Sequence, residues 1–252
     1  MYKIVSKKIL NSALELMEIH APFVARKCEA GQFIIIRVDE DGERIPLTIA
    51  DFDRENETVT IIYQKVGYSS NLLSEKQEGD YVEDFVGPLG VPSPLKYTDK
   101  KVIGVAGGLG AAPIYPQLKK LHEMGVKVDV IIGGRSKDFI ILEEQFREFC
   151  DNVYICTDDG SYGSKGVVTS VLPYLLASGN YDGIAVCGPP IMMERVAAIA
   201  EEYDLPCEVS LERRMACGLG ACLSCSIDTR SGRRKVCKDG PVFSSREVYY
   251  EA

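Results

Sequence analysis

Four cysteines near the C-terminal end carry the spacing of an iron-binding loop. Cys217, Cys222 and Cys225 stand in M-A-C-G-L-G-A-C-L-S-C, and Cys237 follows in K-V-C. A C-x4-C-x2-C triplet with a distant fourth thiol lets one tight turn reach both irons of a [2Fe–2S] cluster. Gly218 and Gly220 let the backbone bend round an inorganic core and aim N–H groups at its sulfurs. Such a cluster passes single electrons. Two other readings use the same residues. A structural zinc site would more usually show two separate C-x2-C pairs. A pair of disulfides would need an oxidising compartment, and no secretory signal precedes the thiols.

A second set of residues points to a dinucleotide. Gly108-Leu109-Gly110-Ala111-Ala112-Pro113 follows the apolar run Lys101–Ala106 and opens an amphipathic stretch. Glycines there permit a tight turn and close approach of the backbone to a pyrophosphate, and Pro113 suits the first turn of a helix whose N-terminus faces phosphate. Taken alone, glycines after a strand are often only a turn; the order strand, loop, helix is what raises this one to a nucleotide site. Gly188 and Pro189, in C-G-P-P, end a later strand and would flank the same crevice. Asp158 and Asp159, in T-D-D-G, end a third, where a carboxylate accepts ribose hydroxyls and repels a 2′-phosphate. That favours NAD(H) over its phosphorylated form, with Arg135 and Lys137 able to offset the repulsion. Asp-Asp-Gly is also an ordinary turn.

The elements that must position these groups fall into three stretches. Residues 1–96 hold short β-like runs, among them Gln32–Val38, Thr58–Gln64 and Asp80–Val86, with turn signals between them, which favours a small antiparallel barrel. The Pro-rich segment Gly87–Pro94 reads as a linker. Residues 97–205 alternate strands (Lys101–Ala106, Val126–Ile132, Val153–Cys156, Gly183–Cys187) with helical stretches (Ile114–Glu123, Glu143–Phe149, Val167–Leu176, Met192–Tyr203). That rhythm implies a parallel sheet covered on both faces. Residues 206–252 trail behind as a small lobe held by its metal. The expected class is a multidomain α+β chain of barrel, α/β nucleotide domain and cluster lobe.

Bulk composition narrows the function. The chain of 252 residues carries a net charge of −8, which argues against a nucleic-acid surface. No apolar run approaches the eighteen or so residues of a membrane span, so no membrane insertion is expected. Nine cysteines without a secretory signal place the protein in a reducing compartment, the cytoplasm. Cys28, Cys150, Cys156, Cys187 and Cys207 read as small buried hydrophobes. His20 and His122, the only histidines, read as incidental.

A barrel followed by G-x-G-x-x-P and a terminal four-cysteine segment resembles the ferredoxin–NADP reductase superfamily. The match narrows to its FAD/[2Fe–2S]/NAD electron-transfer subunits. These include the electron-transfer subunit of type B dihydroorotate dehydrogenase and the small subunit of NADH-dependent ferredoxin:NADP oxidoreductase. R-I-P-L-T-I-A-D (44–51), D-D-G-S-Y-G (158–163) and G-P-P-I-M-M (188–193) look more like the latter; E-R-R-M-A-C-G-L-G-A-C-L-S-C (212–225) resembles the former. The resemblance implies FAD on the barrel, lined by Arg44, Pro46, Leu47 and Thr48. Arg44 would pair with the pyrophosphate and Thr48 would reach N5 of the ring. Ile62, Tyr63 and Gln64 would pack further along FAD, and Gly67, Ser69 and Ser70 would face its phosphates. Arg44 could equally be a solvated charge and Tyr63 a plain core residue. The implied protein passes electrons between NAD(H), FAD and the cluster, with no general base. It would pair in a hetero-oligomer with a catalytic subunit of either relative's kind. Two rival readings are a stand-alone flavin reductase with a structural zinc lobe and a non-enzymatic sensor of NADH.

Overall fold

The computed structural model describes residues 1–94 and 101–250, so the domain boundary expected at residues 96 and 97 lies outside the described residues. Two compact units form, each with its own core. The first comprises 1–93, 212–227 and 234–241; the second comprises 94–211, 228–233 and 242–252. The residues from 206 onward are thus shared between them.

In the first unit, β1 (Tyr2–Ile9), β2 (Leu14–His20), β3 (Phe33–Arg37), β4 (Ile45–Asp53), β5 (Thr58–Gln64), β6 (Tyr81–Val82) and β7 (Asp84–Leu89) make one antiparallel sheet. Its order is β6-β1-β2-β5-β4-β3-β7. The expected run 80–86 divides at Glu83: β6 pairs with β1 at one edge and β7 with β3 at the other. One kinked stretch of chain therefore nearly closes the barrel, which removes the exposed edges an open sheet would present. Alternation along β5 sends Val59, Ile61 and Tyr63 into the core, where they meet Ile4, Met17, Ile19, Ile34, Ile36, Ile49 and Phe85. Two short helices, α1 (Pro22–Lys27) and α2 (Tyr68–Glu75), accompany the sheet.

The Pro-rich joint differs from its expected role. Gly87–Leu89 belongs to β7, because Val86 and Leu89 still pair with Ile35 and Phe33 of β3, and Val91 N–H donates to Gly240 O at 2.7 Å.

The second unit is a sheet of order β11-β10-β9-β8-β12-β13-β16. Its strands are β8 (Lys101–Gly107), β9 (Lys127–Gly134), β10 (Asn152–Thr157), β11 (Ser164–Lys165), β12 (Gly183–Cys187), β13 (Cys207–Ser210) and β16 (Val242–Ser244). All pairs are parallel except β13 with β16. Strands β8, β9 and β12 are almost wholly buried and rich in Val and Ile, as a sheet covered on two faces requires. The covering helices are α3 (Ala111–Glu123), α4 (Glu143–Arg147), α5 (Val168–Ser178) and α6 (Pro190–Glu202). Succession β8, β9, β10 runs one way from β8, and β12, β13 run the other. The reversal lies between β8 and β12, where open α/β sheets hold their ligands. A hairpin of β14 (Ser226–Thr229) and β15 (Gly232–Lys235), then α7 (Val236–Asp239), lies between β13 and β16 in the chain.

Candidate functional site: thiolate loop, barrel face and glycine crevice

The thiol loop is seated on the barrel rather than trailing from it. Gly218 lies at φ +66°, and a Cβ there would sit 2.2 Å from Ile35 Cδ1 on β3. Gly220 lies at φ +80°, with the Lys238 stem pressed against it. Only glycine fits both the left-handed turn and the close packing. Around the sulfurs the backbone turns its donors inward. Leu219 N–H and Cys222 N–H both point at Cys217 Sγ at 3.4 Å, and Cys237 N–H points at Cys225 Sγ at 3.4 Å. The Cys222 and Leu219 amides hold the Cys217 thiol down to about 6, so it is a thiolate at neutral pH. Burial, then the hydrogen bond and charge of Cys225, push Cys237 up to about 11.

The four sulfurs therefore stand as two neighbouring pairs, Cys217 with Cys222 and Cys225 with Cys237. A two-iron core takes its thiolates two and two. Donor type, pairing and inward N–H groups fit the cluster.

Register decides which barrel residues can line a flavin. Because Leu47 shares its face with Ile45 and Ile49, its side chain packs on the core, and Tyr63 is 1 % exposed with its hydroxyl 2.7 Å from Glu15 Oε2. These two side chains point into the barrel, so their contacts are with its core. Alternation leaves Pro46, Thr48, Ile62 and Gln64 on the opposite face. Arg44 is exposed and bonds Asp84 Oδ2 at 3.0 Å; Arg37 Nε takes the same oxygen at 2.7 Å. Hydrogen bonds from Arg37 and Arg44 hold the Asp84 carboxyl below its usual range. Two guanidiniums share this one carboxylate, with Glu83 and Glu40 also acting on Arg37. Asp84 and Arg37 were missed in the sequence, since only strand pairing brings β3 and β7 beside Arg44.

Gly67, Ser69 and Ser70 open α2. Ser70 Oγ accepts from Val66 N–H and Gly67 N–H, each at 3.0 Å, which fixes the turn. The first N–H groups of a helix have no partner inside it. Ser69 Oγ is buried and also lacks a hydrogen-bond partner among the described residues. This cradle fits a phosphate group.

In the second unit the two glycine loops come together. Gly108 has φ +55° with open space on its Cβ side, whereas a Cβ on Gly110 would lie 2.2 Å from Cys187 O and 2.9 Å from Gly188 N. The loops after β8 and β12 thus touch backbone to backbone, with Gly188, Pro189 and the start of α6 on one side and α3 on the other. Pro113 is the third residue of α3, in the turn where a missing N–H is harmless. Beside this crevice the exits of β9 and β10 are zipped: Asp158 N–H donates to Gly134 O at 3.0 Å and Asp159 N–H to Arg135 O at 3.3 Å. Ser161 holds the Asp159 carboxylate, with its N–H at 2.9 Å, and keeps it below the usual range. Arg135 and Asp158 remain exposed on those exits.

Comparison with known proteins finds family matches over the thiol segment and the parallel sheet, and a fold match over nearly the whole chain. Residues 212–249 match the iron–sulfur cluster binding domain of dihydroorotate dehydrogenase B, and residues 105–198 match an oxidoreductase NAD-binding domain. A Clostridium beijerinckii protein of uncharacterised role is 47 % identical over 100 % of this chain and 88 % of its own. The dihydroorotate dehydrogenase B (NAD+) electron transfer subunit homolog of Thermotoga maritima is 40 % identical, covering 92 % of this chain and 82 % of that one. A chain of an NADH-dependent reduced ferredoxin–NADP oxidoreductase superposes with a TM-score of 0.92 at 37 % identity, over 99 % of this chain and 90 % of its own. The chain belongs to the family of dihydroorotate dehydrogenase B electron-transfer subunits, NAD-linked flavin and iron–sulfur oxidoreductases that serve a catalytic partner.

Proposed function

We propose that this protein carries electrons between NAD(H) and a partner catalytic subunit, and that the residues described above divide the task. FAD held here would supply the conversion between hydride transfer with the nicotinamide and single-electron transfer with the [2Fe–2S] cluster. Cys217, Cys222, Cys225 and Cys237 would hold the cluster, which would supply single-electron transfer. Arg44, backed by Asp84 and Arg37, offers positive charge to the FAD pyrophosphate, and Gly67, Ser69 and Ser70 give it a turn of N–H donors. Pro46, Thr48, Ile62 and Gln64 present the barrel face for the ring system, with Leu47 and Tyr63 supporting it from within. Gly108, Gly110, Pro113, Gly188 and Pro189 shape the pyrophosphate crevice for NAD(H). Asp158 and Asp159 take the adenosine ribose, and Arg135 lies beside them.

The single observation carrying this reading is the thiol loop: two pairs of sulfurs with N–H groups turned onto them, in a segment that fits a cluster. The partner is a catalytic subunit of the dihydroorotate dehydrogenase or ferredoxin–NADP oxidoreductase kind, as the named relatives suggest. No helix among the described residues is long and apolar enough to cross a membrane. The nine cysteines of the sequence support a place in a reducing compartment such as the cytoplasm. Analysis of the anaerobically isolated chain tests the proposal. We expect about two iron and two acid-labile sulfide per chain, with FAD in comparable amount. Zinc in place of iron would overturn it.

A further inference from the structure

One carboxylate at the end of the barrel is tied to both ends of the segment that carries the phosphate turn. Glu15, on β2, is buried with its side chain 4 % exposed. Lys65 Nζ, at the entry to the segment, lies 3.2 Å from Glu15 Oε1. Lys7 Nζ, on β1, lies 3.3 Å from Glu15 Oε2 and donates to the carbonyls of Ser74 and, at 2.9 Å, Lys76, where α2 ends. Tyr63 completes the set through its hydroxyl, and Lys65 N–H is fixed on Ala13 O at 2.9 Å. Cross-strand pairing explains the gathering: Glu15 stands opposite Tyr63, and Lys7 opposite Met17, all facing inward.

We propose that Glu15, with Lys7, Lys65 and Tyr63, is a positioning latch that holds Lys65–Lys76 in the conformation that receives the FAD phosphates. This rests on the reading that FAD is held at Gly67–Ser70. Burying an ammonium and a carboxylate gains little net stability over apolar filling of the same space. Apolar side chains would lack what these groups provide, a fixed reach to main-chain carbonyls at the exit of α2 and a charge at its entry. Without the latch the helix stays amphipathic and covered, but its first turn loses its place relative to the barrel face. Eight residues are too few to hold a helix by propensity alone, so its geometry must come from such contacts.

The test uses the full-length holoprotein under anaerobic conditions. Lys7→Met, Glu15→Gln and their double variant are compared with Val59→Ala, a cavity in the same barrel core away from the segment. FAD release on dilution is followed by recovery of free-flavin fluorescence, and hydrogen exchange is read over 66–76. Each single latch variant is expected to weaken FAD retention about tenfold. The double variant is expected to lose no more than the worse single one, because both break the same latch. Exchange in 66–76 should quicken while β3, β4 and β5 stay protected. Val59→Ala should lower the thermal midpoint and leave FAD retention unchanged. If Lys7→Met fails to fold, Lys65→Met, whose ammonium is at the partly exposed rim, carries the same comparison. Variants that lose FAD no faster than Val59→Ala at equal thermal midpoint would overturn the latch, as would full additivity with unchanged exchange. A wild-type protein that holds no FAD would instead overturn the reading on which the latch rests.

Discussion

Single residues set the charge states on which the site depends. Asp84 is held between Arg37 and Arg44, with a carboxyl below its ordinary range. The sign follows from that depression. Folding gains from the ionised carboxylate at every pH above the unfolded carboxylate range, and the gain disappears as pH falls through the lower native value. Thermal midpoints of wild type and Asp84→Asn should therefore differ near neutrality and converge in strong acid. A difference that widens on acidification would contradict the assignment. Arg44→Ala leaves the fold intact, since its head is exposed, and is expected to raise the FAD dissociation constant by roughly tenfold, read by fluorescence of released flavin. Much of this chemistry was legible beforehand. The four thiols announce themselves by spacing, because a loop wrapping an inorganic core leaves a fixed signature. Tyr63 and Leu47 did not reveal their direction, because in a strand a one-residue change of face depends on register, which only the neighbouring strands determine.

Elements place those residues, and glycine is where an element shows its constraints. Gly110 and Gly108 make a controlled pair. A methyl on Gly110 would enter the backbone of Cys187 and Gly188, whereas the same methyl on Gly108 meets open space and only an unfavourable φ. Gly108→Ala should cost about 1 kcal/mol in stability. Gly110→Ala should push the β8 and β12 loops apart and raise the KM for NADH by roughly tenfold. Equal KM values for the two variants would argue that the crevice between these loops does not hold the dinucleotide. Strand, loop and helix in order were readable here because parallel strands buried on both faces are continuous apolar runs. The barrel was less readable. Lys7, Glu15 and Lys65 are charged residues at inward positions, which break the alternation a sequence pattern relies on, and the kink at Glu83 divides what looks like one strand. The joint at Gly87–Pro94 misled for a related reason: proline is tolerated at the end of an edge-like strand such as β7.

At the scale of the whole molecule, the parallel sheet separates stability from function by its two ends. Asp129 is wholly buried near the starts of the strands, where it accepts from Lys101 Nζ at 2.8 Å, Asn152 Nδ2 at 3.0 Å and the Tyr181 hydroxyl. The nucleotide loops leave from the opposite ends. Asp129→Ala strands these donors and should lower stability by about 3 kcal/mol, seen as a fall in denaturation midpoint. The KM for NADH should not change in the protein that remains folded. A large KM shift would mean that the two ends are coupled. The segment after 206 shows what sequence order cannot convey. A stretch that reads as a separate lobe is shared between two units, because Gly218 and Gly240 pack against the barrel while β16 completes the sheet.

The most direct measurement is electron paramagnetic resonance of the intact protein titrated with NADH in the absence of oxygen. An electron relay predicts that the flavin's visible band bleaches and that a reduced-cluster signal grows with it, approaching about one spin per chain. Bleaching with no cluster signal, or a silent protein with no iron, would contradict it.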